Sequence, residues 1–349
     1  MSNWHWRRIK DPWRARGATV VFALDSWRGQ LYLGTRHLGG GGELLRSDDG
    51  EQWEAVAEPG FGDPNNHDIY GLVGFRDMLY AGTYNGVYQR MKLSLPVSGG
   101  QVWRSGDGRH WKCVVGDGFG DPQNQDMFNF VEFNDHLYVG TYHAVGGAEI
   151  WRSPDGSKWV RVFKANSPQQ DYIRAFAKIG QKLYASIGKL APFVLYETSN
   201  GVNWRDTVQR QVPEHLTDGT RVAVVNDVLV AAVAKWHTGP VEMWRYHQDR
   251  WERISEPGFG VPSNVLAGGM TVHENRVVVA TWNELLGTQV WICDDLRHPS
   301  WHQINESGFG EPRNAGCMFG MSSYKNNLYV GTATNDLNWE SQLWVGTER

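Results

Sequence analysis

The sequence predicts an all-β fold, a seven-bladed β-propeller made of four-stranded antiparallel blades. The first observation is a repeat: the run LYAGT at residues 79–83 has six relatives, which begin at Leu31, Leu137, Leu183, Val228, Val277 and Leu328. Successive copies lie about 45 to 58 residues apart, a period typical of propeller blades. The array of about seven units fills nearly the whole chain.

The second observation is that each copy has the same neighbours. An apolar stretch such as IYGLVGF (69–75) comes before it, and a run such as QVWRS (101–105) comes after it, followed by a glycine turn and a tryptophan. Four short β-like runs separated by Gly, Asp and Asn form a four-stranded meander. We name these strands A to D, from the inside of the ring to the outside.

The third observation concerns the two ends of the chain. The N-terminal run WRRIKDP (6–12) matches the strand D runs WEAVAEP (53–59) and WERISEP (251–257), whereas the last unit, residues 316–346, ends after strand C. Residues 4–12 are therefore predicted to supply the outer strand of the last blade. Such closure removes the free edges of the sheet, and residues 1–349 then form a single domain.

Composition excludes several classes of function. A formal net charge of -4 with no long basic run argues against nucleic-acid binding. No secretory signal or membrane-spanning stretch is seen, so a cytoplasmic protein without membrane contact is expected. The cysteines, Cys113, Cys293 and Cys317, are far apart and lack CxxC spacing, which argues against structural zinc. The oligomeric state stays open.

Twelve tryptophans recur at fixed places in the repeat, and we expect them to pack between blades. They are Trp6, Trp53, Trp111, Trp159, Trp204, Trp251 and Trp301 on strand D, and Trp103, Trp151, Trp244, Trp291 and Trp344 on strand C. A second recurring motif, GFGDPNN (60–66), returns at Gly118, Gly258 and Gly308 and links strand D to the next strand A. Its repetition favours a structural turn over a phosphate-binding loop.

The turn between strands C and D reads SDDG (47–50), SGDG (105–108) and SPDG (153–156), each shortly before a tryptophan. Here the chain resembles the Asp-box (BNR-type) repeat of the sialidase-like propellers, with one residue fewer between Asp and Trp. The resemblance implies a propeller in which the box is a structural turn away from the ligand site. The arginine triad and Arg-Ile-Pro segment of sialidases are not found, so a typical sialidase is not expected.

Acidic residues break the repeat at the start of strand A, where a propeller's central mouth lies. Asp68, Asp126, Asp171 and Asp218 occupy this place in blades 2 to 5. Either they cap the preceding turns, or adjacent carboxylates couple into an acid and a base. They also suit a divalent cation such as Ca²⁺, although no cofactor is predicted. His67, next to Asp68, is the candidate proton-transfer residue, and the predicted catalytic set is Asp68, His67, Asp126 and Asp171.

A second set of residues is predicted to bind substrate. Tryptophans outside the repeat fall in mouth-side loops opposite the acidic blades, where they either stack on a ligand or only plug the channel. Arginines on strand A either hold an anionic group or neutralise the aspartates. The full set is Tyr172, Arg174, Asp218, Arg221, Tyr142, His143, Lys235, Trp236, His237, Trp282, Glu284, Trp339 and Trp13. The sequence identifies no metal ligands among them.

Two classes of function follow from these patterns. In the first, an intracellular enzyme of the hydrolase or lyase/cyclase type binds one small organic ligand, which is cationic, a polyol or sugar, or aromatic, and uses carboxylate and histidine acid–base chemistry. In the second, the chain is a non-catalytic, lectin-like or ligand-binding propeller, or a protein-interaction scaffold. Mouth residues that differ from blade to blade favour one asymmetric site. The long segment 84–100 is either a lid or an oligomer contact.

Overall fold

The structure is a computed structural model, and it describes residues 3–11, 13, 19–86, 98–188, 194–207, 218–235, 238–247, 250–335 and 340–349. In this part of the chain the regular structure is all β, apart from three short 3-10 turns at Pro59–Gly62, Pro257–Gly260 and Ser307–Gly310. No helix in these ranges combines the length and apolarity needed to cross a membrane.

The strands pair into consecutive four-stranded antiparallel units. After β1 (Trp4–Ile9), unit 1 consists of β2 (Thr19–Trp27), β3 (Gln30–His37), β4 (Leu44–Ser47) and β5 (Glu54–Ala55). Unit 2 consists of β6 (Asp68–Phe75), β7 (Met78–Tyr84), β8 (Val102–Ser105) and β9 (Lys112–Val115). Unit 3 consists of β10 (Asn124–Phe133), β11 (His136–His143), β12 (Glu149–Ser153) and β13 (Val160–Lys164).

The later units follow the same order. Unit 4 consists of β14 (Ile173–Ile179), β15 (Lys182–Ile187), β16 (Val194–Thr198) and β17 (Arg205–Asp206). Unit 5 consists of β18 (Asp218–Val225), β19 (Val228–Ala234), β20 (Glu242–His247) and β21 (Arg250–Arg253). Unit 6 consists of β22 (Leu266–His273), β23 (Arg276–Trp282), β24 (Val290–Cys293) and β25 (Trp301–Gln303). Unit 7 begins with β26 (Gly316–Tyr324), β27 (Asn327–Ala333) and β28 (Ser341–Glu348).

The N-terminal strand pairs with the C-terminal strand. Antiparallel pairing of β1 with β28 runs from Trp4 opposite Glu348 to Ile9 opposite Leu343. The buried Ile9, Leu343 and Val345 belong to one apolar cluster with residues of unit 1. Both ends of the chain therefore belong to the same sheet.

Strand A of several units carries a β-bulge that points a side chain toward the centre. Pairing of strand A with strand B skips Phe22, Tyr70, Phe128 and Arg174, and the skip in β26 includes Phe319. The rings of Phe22, Tyr70, Phe128 and Phe319 lie 4.3 to 5.7 Å apart, centroid to centroid. They line a central cavity of about 230 Å³ together with Arg174, Arg221 and Asp25.

The GFG links are structural, as their repetition indicates. In the first link, Phe61 has a φ of +55° and stacks on Trp103 of strand C with ring centroids 4.7 Å apart. The amide of the buried Asn66 donates to the Gly60 carbonyl (2.9 Å) and to Gln101 (2.7 Å), which also accepts from Trp103. The same stack recurs as Phe119–Trp151, Phe259–Trp291 and Phe309–Trp344. The hydrogen bonds from the asparagine side-chain amide recur at Asn124, Asn264 and Asn314.

The C–D turns are held by the side chains that the sequence singles out. Ser105 Oγ accepts from the Gly108 amide (2.8 Å), and Asp107 Oδ1 accepts from the amides of Arg109 and His110 (both 2.8 Å). This is a side-chain-stabilised turn that needs glycine at a φ of +73°. The prediction that these turns are structural agrees with this geometry.

Deleting residues 1–9 should sharply lower the melting temperature, because it leaves the β28 edge unpaired and uncovers Leu343 and Val345. Differential scanning calorimetry of the truncated and full chains measures the effect. A truncated chain that melted at the same temperature as the full chain would contradict a closing role for β1.

Asn264→Ala should destabilise the protein by about 2–4 kcal/mol, because Gln289, Thr281 and Asn283 all lose a buried hydrogen-bond partner. Urea unfolding measures the change. Asn203→Ala, at an exposed turn position, is the matched control and should change the free energy of unfolding by less than about 0.5 kcal/mol. Equal effects of the two substitutions would contradict the role assigned to the link asparagine.

Candidate functional site

A ladder of backbone pairs brings the site residues together. The start of strand A in each of units 2 and 3 pairs with the end of strand B in its own unit and in the unit before. The successive pairs are Arg36–Asp68, Asp68–Tyr84, Tyr84–Asp126, Asp126–Tyr142 and Tyr142–Tyr172. Residues from four units therefore stand side by side at the strand A starts, where the sequence predicts the central mouth.

Asp68 forms a buried, two-pronged ion pair with Arg36. The Arg36 Nε and Nη2 atoms each donate to one carboxylate oxygen, both at 3.0 Å, and the Asp68 side chain is fully buried. Burial raises the pKa of Asp68, but the charge of Arg36 and the bond to His67 outweigh that effect and hold the pKa at about 2. Asp68 is therefore ionised at neutral pH.

His67 is also fully buried and lies beside this ion pair. Its Nδ1 is 3.4 Å from Asp68 Oδ1, and its Nε2 is 3.0 Å from the Gly86 carbonyl oxygen. The ring packs edge-on against Tyr84, with centroids 5.1 Å apart. These contacts join His67 to Asp68, as the sequence suggests, but they engage both ring nitrogens, which were expected to exchange protons with a ligand.

Asp126 has the opposite electrostatic environment. Its side chain is fully buried, its Oδ2 accepts a hydrogen bond from the Tyr172 hydroxyl, and its Oδ1 has no hydrogen-bond partner among the described residues. Burial, and then the charge of Asp68, raise the pKa of Asp126 well above its ordinary value, against the lowering effects of Tyr172 and Arg174. The pKa values of the two aspartates are therefore shifted in opposite directions, that of Asp68 downward and that of Asp126 upward.

Tyrosines surround the two aspartates. The ring centroids of Tyr84 and Tyr142 are 6.4 Å apart, and those of Tyr142 and Tyr172 are 5.2 Å apart. Burial raises the pKa of each of these three hydroxyls and of Tyr70, so all four are neutral donors. Tyr70 and Tyr142 are only half-buried, so they form the part of the site that solvent reaches.

Arg174 and Arg221 lie on the inner side of this cluster. The Arg174 guanidinium stacks over the Tyr172 ring (4.4 Å to the centroid), and its Nε donates to the Gly188 carbonyl. The Arg221 guanidinium lies 3.5 Å from the Phe319 ring centroid, and its Nε and Nη2 donate to the Gly268 carbonyl. Both arginines line the central cavity.

The contacts of the aspartates do not suit a calcium site. Both oxygens of Asp68 accept from Arg36, and the raised pKa of Asp126 favours its uncharged form, whereas Ca²⁺ needs ionised oxygen ligands. Among the described residues, His273, Glu274 and Glu348 do lie close enough together to share a metal ion. However, Arg276 forms ion pairs with both of these glutamates and so already supplies a positive charge there.

Other predicted residues lie in loops around the ladder. Asp171 is half-buried, and its carbonyl accepts from the His143 amide. The His143 ring is fixed within its loop, with Nε2 3.2 Å from Asp121 and Nδ1 accepting from the Gly146 amide. Lys235 and Glu284 are exposed. Asp218 begins β18, but its side chain lies outside the described part of the structure.

The described tryptophans do not form an open aromatic face. Trp282 is 4% exposed, packs in a core cluster and donates to Glu284. Its ring lies over Gly316, where a methyl group would clash, so the next strand leaves room for it. Trp13 is half-buried against the cluster between units 7 and 1. Trp236, His237 and Trp339 lie outside the described residues, as does most of the segment 84–100.

Sequence reasoning missed Arg36, Tyr84, Tyr70 and Asp25. Arg36 and Tyr84 each end a strand B, and only the backbone pairing of neighbouring units shows that they adjoin Asp68 and Asp126. Tyr70 is placed inward by a bulge that no residue type signals. Asp25 lines the central cavity, and its surroundings raise its pKa to about 6 by desolvation, despite a bond from the Ser26 amide.

No protein-family model matches the chain, and no curated protein matches it. Its fold resembles solved structures. An ancestral GH74 enzyme superposes with a TM-score of 0.62 at 13% identity over 97% of this chain and 47% of that chain, so this chain spans about half of its length. The WD40 repeats of RRP9 superpose with a TM-score of 0.62 at 11% identity, over 99% of this chain and 97% of that chain. A lectin from Burkholderia pseudomallei superposes with a TM-score of 0.61 at 10% identity, over 94% of this chain and 95% of that chain. These likenesses show a β-propeller fold.

Asp68→Asn should cost about 3–5 kcal/mol of stability at pH 7, because it leaves Arg36 buried without its counter-charge. The Asp68 pKa is lowered to about 2 in the fold, so its contribution, about 2 kcal/mol, is complete above pH 4 and is lost as the pH falls toward 2. Urea unfolding at pH 7, 5 and 3 should show that the free energy of unfolding falls less between pH 5 and pH 3 in the variant than in the unchanged chain.

The control for this experiment is Asp77→Asn, since the Asp77 side chain is 96% exposed and forms only a surface ion pair. It should leave both the stability and its pH dependence unchanged within error. A similar loss of unfolding free energy in both variants would contradict a stabilising role for the Arg36–Asp68 pair.

Proposed function

We propose that the chain is an enzyme whose general acid is Asp126, at one asymmetric site formed by the strand A starts of units 2 to 4 and the strand B ends of units 1 to 3. The proposal rests on two buried, neighbouring aspartates with different surroundings. Asp68 forms a two-pronged ion pair with Arg36, which helps to lower its pKa to about 2, whereas burial and the charge of Asp68 raise the pKa of Asp126. Neighbouring groups whose environments separate their pKa values are typical of acid–base catalysis.

The chemistry proposed is protonation of a leaving oxygen. Asp126 transfers its proton to the leaving oxygen as the bond between carbon and oxygen breaks. In a hydrolase, the oxygen of a water molecule bonds to that carbon and the water gives a proton back to Asp126. In a lyase, the neighbouring C–H bond breaks, its electron pair forms the new double bond, and its proton returns to Asp126. The Tyr172 hydroxyl fixes the carboxyl and donates to it, so it also stabilises the carboxylate that forms. Asp68, paired with Arg36, acts as a fixed negative charge that keeps the proton on Asp126.

The substrate class proposed is a small polyol or aromatic molecule. The solvent-accessible groups of the site, Tyr70 and Tyr142, offer ring faces and neutral hydroxyls, which suit stacking and hydrogen bonding. The equivalent strand A positions in units 1, 6 and 7, by strand register, hold Val20, Leu266 and Gly316, all buried and none of them with a polar side chain. The polar groups are therefore confined to one arc, which supports a single site.

We also propose that the seven units are the blades of a closed ring. The pairing of β1 with β28 supports this, and so does the packing of Val21 of unit 1 against Gly320 and Gly331 of unit 7. A closed ring formed from one domain would hold the strand A starts of all units around one axis. That arrangement is what a single central site requires.

A second candidate is a non-catalytic ligand-binding propeller. It is supported by the complete engagement of Asp68, whose oxygens both accept from Arg36, so Asp68 offers no free base. The lectin and the WD40 repeats among the similar folds fit this alternative as well as the GH74 enzyme fits the first. The two candidates differ in whether they need proton transfer from Asp126: the enzyme needs it for turnover, whereas the binding propeller does not need it to bind its ligand.

Asp126→Asn should lower kcat by at least about 100-fold with a smaller change in KM, since the amide keeps the shape but cannot give up a proton in this way. Turnover is screened with a panel of 4-nitrophenyl glycosides and esters, and Asp77→Asn is the control. If no member of the panel is turned over, but isothermal titration calorimetry shows saturable binding of a panel member that Asp126→Asn leaves intact, the chain is a binding propeller.

A further inference from the structure

The central cavity lies between the strand A bulges and the A–B hairpins. Its lining consists of bulge residues and of residues up to three positions after a bulge. On the side of the strand A starts, the bulge residues of units 1, 2, 3 and 7 meet ring against ring. The Arg221 guanidinium covers one of these rings, that of Phe319, at 3.5 Å from its centroid. The space of about 230 Å³ therefore extends from these rings toward the hairpins.

Asp25 supplies the single carboxylate of this lining among the described residues. It follows the bulge of unit 1 by three positions, and none of the residues at that place in units 2 to 6 is ionisable. These residues are Val73, Val131, Ala177, Ala223 and Thr271. Asp25 is exposed, so a ligand can reach it from the hairpin side. Asp25 thus breaks the repeat inside the cavity, as Asp68 and Asp126 do at the strand A starts.

The Asp25 carboxylate has little to satisfy its charge within the fold. Its Oδ1 accepts from the Ser26 amide at 2.7 Å, and among the described residues this is its one hydrogen bond, with no ion pair beside it. The surrounding strands desolvate the group and raise its pKa to about 6, so it is still largely ionised above pH 7. An ionised carboxylate in such surroundings is stabilised by a cation that bonds to it directly.

The wall around Asp25 is largely apolar. The residues two positions after the bulges of units 2 to 6 all line the cavity and are half-buried. They are Leu72, Phe130, Phe176, Val222 and Met270. The polar Asn129 also lines the cavity, and its side-chain amide donates to the Ile173 carbonyl at 2.8 Å. Such a wall suits an apolar ligand body, and phenylalanine rings also attract a cation.

The two arginines of the cavity lie toward its other end. Arg174 is a bulge residue and Arg221 follows a bulge by one position, whereas Asp25 follows by three, a difference of about 7–10 Å along the strands. The guanidinium groups donate there to the carbonyls of Gly188 and Gly268. Because Coulomb energies fall with distance, each arginine repels a cation bonded to Asp25 less strongly than the carboxylate attracts it.

We propose that the hairpin end of the central cavity binds a small primary ammonium, whose nitrogen donates to the Asp25 carboxylate and whose apolar body packs on the surrounding wall. The cavity is smaller than most sites for drug-sized ligands, which limits the body to one ring or a short alkyl chain. A single carboxylate does not supply the several oxygen ligands that Ca²⁺ needs. The site is separate from the candidate active site, because the bulge rings lie between them.

The test uses benzylamine and benzyl alcohol, which have the same ring and nearly the same size but differ in charge. In the full chain with ¹³C-methyl methionine, NMR should show a saturable shift of Met270 with benzylamine. Benzyl alcohol should bind at least about tenfold more weakly, as expected when a hydrogen bond to a charged group is lost. Met78, which packs outside the cavity against the cluster of units 2 and 3, is the control methyl and should not shift.

Asp25→Asn should reduce the preference for benzylamine to within about twofold, because the amide keeps the shape of the side chain but removes its charge. Asp77→Asn, at an exposed aspartate outside the cavity, is the matched control and should leave the preference unchanged. Lowering the pH from 8 to 5 should weaken benzylamine about tenfold in the unchanged chain, since Asp25 takes up a proton as the pH falls through 6. Arginine and tyrosine, the other ionisable types in the lining, do not titrate in this range.

Several results would overturn the proposal. They are equal affinity for the two probes, a preference for benzylamine that Asp25→Asn leaves intact, an affinity that does not change between pH 8 and pH 5, and no Met270 shift at tens of millimolar probe. The pH result keeps the proposal testable if Asp25→Asn fails to fold. Displacement of benzylamine by calcium chloride, but not by sodium chloride of equal ionic strength, would also overturn it, because the occupant would then be a metal ion.

Discussion

The contact on which the repeat depends is the anchoring of each GFG link to the strand C beneath it. In the first link, the side-chain amide of the buried Asn66 donates to the Gly60 carbonyl and so holds the turn. It also donates to Gln101, which accepts from Trp103, so the link is connected to the tryptophan of strand C. The phenylalanine beside it accepts a left-handed backbone so that its ring can stack on that tryptophan. This backbone costs about 1 kcal/mol, and the stacking and the buried hydrogen bonds offset it.

The candidate site lies at the strand A starts that follow these links, where polar side chains are buried. With the links fixed, the strand A starts of units 2 and 3 are close enough to pair with the strand before, and Asp68 meets Arg36 as a consequence. Burial is the main reason why the pKa of Asp126 is raised, and the charge of Asp68 adds to it while Arg36 opposes it. The pairing that lowers the pKa of one aspartate thus contributes to the raised pKa of the other.

The repeat, the strand order and the structural role of the links could be predicted because each depends on residues close together in sequence. The position of the acidic residues at the strand A starts also follows from counting along the repeat. The Arg36–Asp68 pair could not be predicted, since it depends on backbone pairing between two units. Trp282 misled for a similar reason: its burial depends on the missing side chain of Gly316, 34 positions further along the chain. The pKa shifts of Asp68 and Asp126 could not be predicted either, because they depend on burial and on the neighbouring side chains in the fold.

The bridges between strand A and the preceding strand B are unevenly distributed around the propeller. Among the described residues they join units 1 to 3 into one sheet of twelve strands and units 6 and 7 with β1 into one of eight, whereas unit 4 is linked to unit 3 by the isolated pair Tyr142–Tyr172 and unit 5 forms a separate four-stranded sheet. Asp68 and Asp126 both lie in the twelve-stranded sheet, where Tyr84 pairs with both of them. Continuous backbone pairing therefore fixes the register of the two aspartates relative to each other, and their separation does not depend on side-chain packing alone.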